Sequence, residues 1–176
     1  FFNNINHKIK IKGQSVTDEK IAKHLSEGKT VAVFNGKAEA GPRSLGNRSI
    51  LFDPRNLKAK KIVNNIKKRE WYRPFAASIL LEHTKDYFET HNIKASPFMT
   101  VSFQVKKNKK FKIPGVTHVD GSCRIQTVDK TIPHYYNLLK KFNKITGVPI
   151  LLNTSFNIAG EPLVETVKDA IDTFNK

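Results

Sequence analysis

The sequence predicts an α/β domain built on a mixed sheet. Segments with apolar residues at helical spacing alternate along the chain with short apolar runs of strand length. The breaks between them are written in Gly, Asn, Asp and Pro, residues that supply turns. The 176 residues, 39% of them apolar, suffice for one domain with a sizeable core. Helices interleaved with strands in this way can cover the sheet they connect.

Each element has its own justification. Residues 1–14 read as a linker or the tail of a preceding domain, because FFNNINHKIK has neither an initiator Met nor a signal-peptide layout. The domain proper is therefore expected over 15–176. SVTDEKIAKHLSEG gives a helix capped by Thr17, apolar through Ile21, Ala22 and Leu25, and stopped at Gly28. TVAVF, Thr30 to Phe34, is a short buried strand ended by Asn35-Gly36. Ser49 to Phe52 suggests a second strand, and Asn56 to Lys67 a helix carrying Leu57, Ala59, Ile62, Val63 and Ile66.

Phe75 to Leu81 reads as a strand. Met99 to Val105 and Phe111 to Ile113 are expected to pair as a hairpin, with the lysine-rich stretch around Asn108 as its solvated tip. Cys123 to Val128 is a further strand. Tyr135, Leu138, Leu139 and Phe142 step along one face of a helix that ends near Gly147. VPILLN, Val148 to Asn153, is a buried strand. Thr166 and Asp169 form a capping box for a last helix, buried through Val167, Ala170, Ile171 and Phe174.

Composition narrows the functional classes. The single cysteine, Cys123, excludes an internal disulfide and a cysteine-built zinc site, which suits a reducing, cytoplasmic setting. Packing is its expected role. No apolar run approaches the ~20 residues of a membrane-spanning helix. The formal charge of +16 admits nucleic acid as a partner. An AT-rich coding bias, which enriches Lys, Asn and Ile together, explains the same charge equally well.

Arginine is the informative cation. Only six of the 31 basic residues are arginines: Arg43, Arg48, Arg55, Arg69, Arg73 and Arg124. A guanidinium grips carboxylate or phosphate through a planar fork, whereas an ammonium is a point charge. Retention of arginine in a lysine-biased chain therefore marks positions where geometry counts. GPRSLGNRS, Gly41 to Ser49, combines two arginines with glycines that let backbone N–H groups approach an anion. KKREWYRPF adds Lys67 and Arg73, and THVDGSCRIQ adds Arg124. LLNTSFNIAGEP leaves a buried strand through Asn153, Thr154, Ser155 and Asn157, a kind of strand end where open α/β sheets bind ligands. Four such loops converging would suit a nucleotide or an acyl phosphate. His118 and Asp120 lack further ligands at metal-binding spacing, so no metal site is assigned. Ser155 lacks a nucleophile elbow and an evident base, so phosphate binding fits it better than nucleophilic attack. No Walker loop or dinucleotide fingerprint occurs.

At these segments the sequence resembles the C-terminal domain of the O-carbamoyltransferase family of nodulation-factor and antibiotic-tailoring enzymes. The matching blocks are VAVFNGKAEAGPRSLGNRSILFDPR, KKREWYRPFAASIL, SPFM, THVDGSCRIQTV and TGVPILLNTSFNIAGEPLVET, in family order from about Ser15 onward. The resemblance implies a YrdC-like α/β domain, a twisted mixed sheet flanked by helices. It implies a reaction of ATP, with Mg²⁺ on its phosphates, and carbamoyl phosphate to give carbamoyl-adenylate, phosphate and pyrophosphate. A preceding actin-like, metal-dependent domain, outside this chain, would pass the carbamoyl group to an acceptor hydroxyl. By position, Arg43, Lys67, Arg73 and Arg124 match catalytic and nucleotide-binding cations, and Asn153 and Ser155 match further binding residues. Arg48 and Arg55 are expected to brace the loop that aims Arg43. Lys37, Ala40, Ser44 and Ala77 depart from the family pattern. The first two are expected in the pocket wall, and none of the four is expected to touch the site residues. The alternatives are a basic nucleic-acid-binding module, or a carbamoyltransferase acting on a nucleotide or DNA acceptor.

Overall fold

A computed structural model describes residues 13–176. Of the anticipated linker, residues 1–12 lie outside the described residues. The elements run α1 (Asp18–Ser26), β1 (Val31–Phe34), β2 (Arg48–Phe52), α2 (Ala59–Ile66), β3 (Ala76–Leu80), α3 (Thr84–Tyr87), β4 (Phe88–Glu89), β5 (Val101–Val105), β6 (Ser122–Val128), α4 (Pro133–Thr146), β7 (Ile150–Ser155) and α5 (Val167–Phe174). Two 3₁₀ turns, Leu81–His83 and Lys107–Lys112, complete the order.

The strands form one sheet in the order β1-β2-β7-β3-β6-β5-β4. Only β3 and β6 run parallel; every other neighbouring pair is antiparallel. The predicted mixed sheet is therefore present. Alternation along the strands sends side chains to two separate cores. Ile50 and Phe52, Ala77 and Ile79, and Ile150 and Leu152 meet Ala59 and Val63 of α2 on one face. Leu51, Leu80 and Leu151 meet Leu25 of α1 and Tyr135, Leu139 and Phe142 of α4 on the other. The helical spacings read from sequence in α1 and α4 are the ones buried here.

Local signals act at the helix ends. Thr17 accepts from the Lys20 backbone N–H at 3.3 Å, capping α1, a contact worth about 1 kcal/mol. Thr166 and Asp169 form the expected reciprocal box. Gly147 takes the left-handed conformation, φ 71°, and ends α4.

Four expectations need correction. The hairpin across the lysine-rich tip does not form. Instead β5 pairs with β6 on one side and β4 on the other, and residues 107–112 coil into a 3₁₀ turn. Seven residues of β6 give β5 a longer partner than Phe111 to Ile113 could, and Phe111 faces solvent. Second, α2 starts at Ala59: Asn56 Oδ1 takes the Lys58 N–H at 2.8 Å in a turn, which leaves Leu57 exposed. Third, β1 is only half-buried, as an edge strand paired on one side. Fourth, α5 buries Ala170 fully but leaves Phe174 74% exposed.

Candidate active site

Register brings four loops to one end of the sheet. The C-terminal end of β7 lies beside the starts of β2 and β3, through the pairs Ser49 with Ser155 and Ala76 with Asn153. Parallel pairing of Ala77 with Ile125 then sets the start of β6 next to β3. The segments 35–47, 67–75, 113–121 and 156–166 open around that end, as the four motifs required.

Two cavities that share Arg69 and Ser155 occupy it. The smaller, about 90 Å³, is lined by Arg43, Ser44, Arg69, Met99, Arg124, Asn153 and neighbouring residues. The larger, about 450 Å³, is lined by Lys67, Arg69, Arg73, Asn157 and the turn 158–160. All six anticipated site residues thus line one cavity or the other.

Their roles differ in detail. Lys67 is 3% exposed and sits where α2 ends. Its Nζ donates to Ser155 O at 2.6 Å, to Asn157 O and Oδ1 at 2.8 Å each, and to Ser155 Oγ at 3.3 Å. Burial, with the Arg69 charge beside it, pulls its pKa down to about 7. Ser155 Oγ donates to Asn157 Oδ1 at 2.6 Å, so Lys67, Ser155 and Asn157 form one polar knot. Asn153 is buried as a cross-brace: it donates to Ser44 O, Ser78 Oγ and Gln126 Oε1 and accepts from Ser44 Oγ. Arg73 pairs with Glu70 at 2.8 Å on the exposed lip.

Arg43, Arg69 and Arg124 are different. Among the described residues no carboxylate pairs with any of the three. Arg124 Nε is buried without a partner. Burial and then the Arg43 charge lower the Arg124 pKa; burial and then Arg73 lower that of Arg69. The site is a cluster of like charges held together by the fold.

Arg69 and Asn157 lie within the motifs, although neither is among the site residues expected from sequence. Arg69 stands two residues after Lys67 and belongs to the same set of six arginines. Asn64 has no such signal: fully buried, it donates to Trp71 O and Arg73 O and accepts from Arg69 Nε at 2.6 Å. It shapes the whole 69–73 loop. Glu39 was likewise missed, although its Oε1 accepts from the backbone N–H groups of Leu45 and Asn47 at 2.8 and 2.7 Å.

Comparison with known proteins places this geometry. Residues 22–176 match the model of the family described as Carbamoyltransferase C-terminus. The chain belongs to this family. It is similar to nodulation protein NolNO of Sinorhizobium fredii, 47% identical over 156 residues, covering 87% of this chain and 23% of that protein. The chain spans about a quarter of the length of the curated relatives it matches. Its fold is similar to full-length HypF in the phosphate- and nucleotide-bound form, at TM-score 0.66 and 20% identity over 92% of this chain and 24% of that one. It is also similar to the H234A/Y235A form of P. abyssi Sua5, at TM-score 0.58 and 13% identity over 88% and 42% of the two chains. The sheet is YrdC-like, as the resemblance implied.

Membership in the carbamoyltransferase family gives the remaining corrections a context. Arg48 braces the 35–47 loop as expected, donating to Asn35 O, Gly36 O and Asn47 O with its guanidinium 3.5 Å over the Phe34 ring. Arg55 does not. It pairs with Asp53 at 2.6 Å and reaches Ser26 O, tying α1 to the turn after β2. Neither Lys37 nor Ala40 lines the cavities, whereas Ser44 does and bonds Asn153 directly. The family departure that touches the site is therefore Ser44. His118 Nε2 meets Phe75 O, its Nδ1 meets Ser122 Oγ, and Asp120 accepts from the Ser122 N–H, so both residues shape the 118–122 turn. Cys123 is buried, with its thiol pKa pushed up to about 12 by that burial. No helix of the described residues is long and apolar enough to cross a membrane.

Proposed function

We propose that this domain forms carbamoyl-adenylate from ATP and carbamoyl phosphate, for transfer to an acceptor hydroxyl by a domain outside these residues. The observation that carries the reading is the set of three guanidiniums, Arg43, Arg69 and Arg124, around one small cavity, without carboxylate partners among the described residues. Like charges gathered at a site weaken one another, and an anion relieves that repulsion. The small cavity has room for a carbamate or one phosphoryl group, and the adjoining 450 Å³ cavity falls within the usual range for small-molecule sites. The family name supplies the carbamoyl group, and a phosphate- and nucleotide-bound structural neighbour supports the nucleotide.

The chemistry follows from the charges. Water converts carbamoyl phosphate to phosphate and carbamate. A carbamate oxygen attacks the α-phosphorus of ATP, the α–β bridging bond breaks, and pyrophosphate leaves with the electron pair. Negative charge spreads over the phosphoryl oxygens as this happens, and cations fixed in advance stabilise it. In this reading Arg43, Arg69 and Arg124 surround the reacting phosphoryl group. Lys67 and Ser155 shape and polarise the turn on which the remaining phosphates rest. Among the described residues no three His, Cys, Asp or Glu side chains are grouped to hold a metal. A Mg²⁺ ion would accordingly be held by the triphosphate oxygens, neutralising part of their charge.

Incubation of the chain with ATP, Mg²⁺ and carbamoyl phosphate should release pyrophosphate only when all three are present. Absence of pyrophosphate, no ATP binding, and oligonucleotide binding that falls steeply with salt would overturn this reading for the nucleic-acid one.

A further inference from the structure

We infer that Glu39 is a positioning residue, the clamp that sets the Arg43 loop against its ligand. The inference rests on the function proposed above. Arg43 is exposed, on a segment without regular secondary structure, and among the described residues it has no hydrogen-bond partner of its own. Its placement must come from the residues around it. Glu39 Oε1 takes two backbone N–H groups at once, those of Leu45 and Asn47, closing the chain on the far side of Arg43. Bonds from amide N–H to a carboxylate are stronger than neutral ones.

The other oxygen of Glu39 completes the device. Among the described residues Oε2 is buried without a partner, and so are Arg48 Nε and Tyr135 OH. Burial lowers the Arg48 pKa and raises that of Tyr135; the Glu39 charge opposes the first shift and adds to the second. The carboxylate thus ties residue 39 to the loop amides at 45 and 47, next to the loop's bracing residue Arg48. Gly46 packs against the Tyr135 ring so closely that a Cβ there would overlap it. A carboxylate holding two amides, beside a glycine packed on α4, can fix a loop whose own sequence, GPRSLGN, specifies no regular structure.

The test is a double-mutant cycle on ATP affinity by calorimetry, with amide exchange at Leu45 and Asn47 read alongside. Glu39→Ala should weaken ATP binding about tenfold, and Glu39→Gln, which keeps an acceptor oxygen, should stay within about threefold of wild type. In an Arg43→Ala background Glu39→Ala should change affinity less than about twofold, because the residue acts through Arg43. Amide protection at 45 and 47 should fall in Glu39→Ala and return in Glu39→Gln. If Glu39→Ala fails to fold, Glu39→Asp replaces it in the cycle; the shortened arm should weaken binding with little change in melting temperature. Equal losses in both backgrounds, or unchanged affinity despite lost protection, would overturn the inference. A wild-type chain that ignores ATP overturns the proposed function instead, and the cycle is then read with pyrophosphate. No response to pyrophosphate overturns the clamp as well, since Arg43 would have no anion to meet.

Discussion

Guanidinium differs from ammonium in shape more than in charge, and in the proposed function Arg43 and Arg124 are where that difference counts. Replacing either by Lys keeps the charge and the fold but removes the fork. Pyrophosphate release should fall by about two to three orders of magnitude, with urea unfolding unchanged. Near-normal turnover in either variant would contradict the assignment. Lys67 offers a pH signature. Its pKa of about 7 means that much of the ammonium is already lost at pH 8. A bound polyphosphate favours the charged form and raises the pKa, so binding at pH 8 should take up a proton. Calorimetric enthalpies in buffers of different ionisation heat should reveal that uptake, and Lys67→Met should abolish it. Arg43 and Arg124 were legible in sequence because arginine stands out against lysine, whereas Arg69 carries the same signal without having been among the expected site residues. Glu39 and Asn64 were not, since both act by bonding backbone groups several residues away, which no spacing or composition announces.

The elements were legible where one face had to be buried. The period of α4 predicted Tyr135, Leu138, Leu139 and Phe142, and all four are buried. The expected hairpin failed for the complementary reason. Local pattern identifies a strand but not its partner, and the choice of β6 for β5 depends on the assembled sheet. The same limit hid the contact between α4 and the Arg43 loop. Gly46, with φ 118°, faces Tyr135 across 88 intervening residues of sequence, counted between positions 46 and 135. Gly46→Ala should therefore cost about 1–3 kcal/mol by overpacking, and more through its left-handed backbone. Chemical denaturation measures the loss, and ATP affinity should fall with it because the loop must move. A neutral Gly46→Ala would show that the loop is not held by α4.

At the scale of the whole molecule the +16 charge and the cleft make separate claims. The lysines are spread along the chain, with one denser run over 106–112. Four of the six arginines, Arg43, Arg69, Arg73 and Arg124, converge on the cleft. ATP at a hundred times its dissociation constant should stabilise the fold by about 2.7 kcal/mol, which is a rise of several degrees in melting temperature for a domain this size. An oligonucleotide that stabilises the protein more than ATP does at physiological salt would shift the account toward the surface charge. The most direct measurement is mass spectrometry of the small molecules formed from ATP, Mg²⁺ and ¹³C-labelled carbamoyl phosphate. Carbamoyl-AMP carrying the label, produced by the wild-type chain and lost in Arg124→Lys, is the predicted result. AMP or ADP without labelled adduct would contradict the central claim.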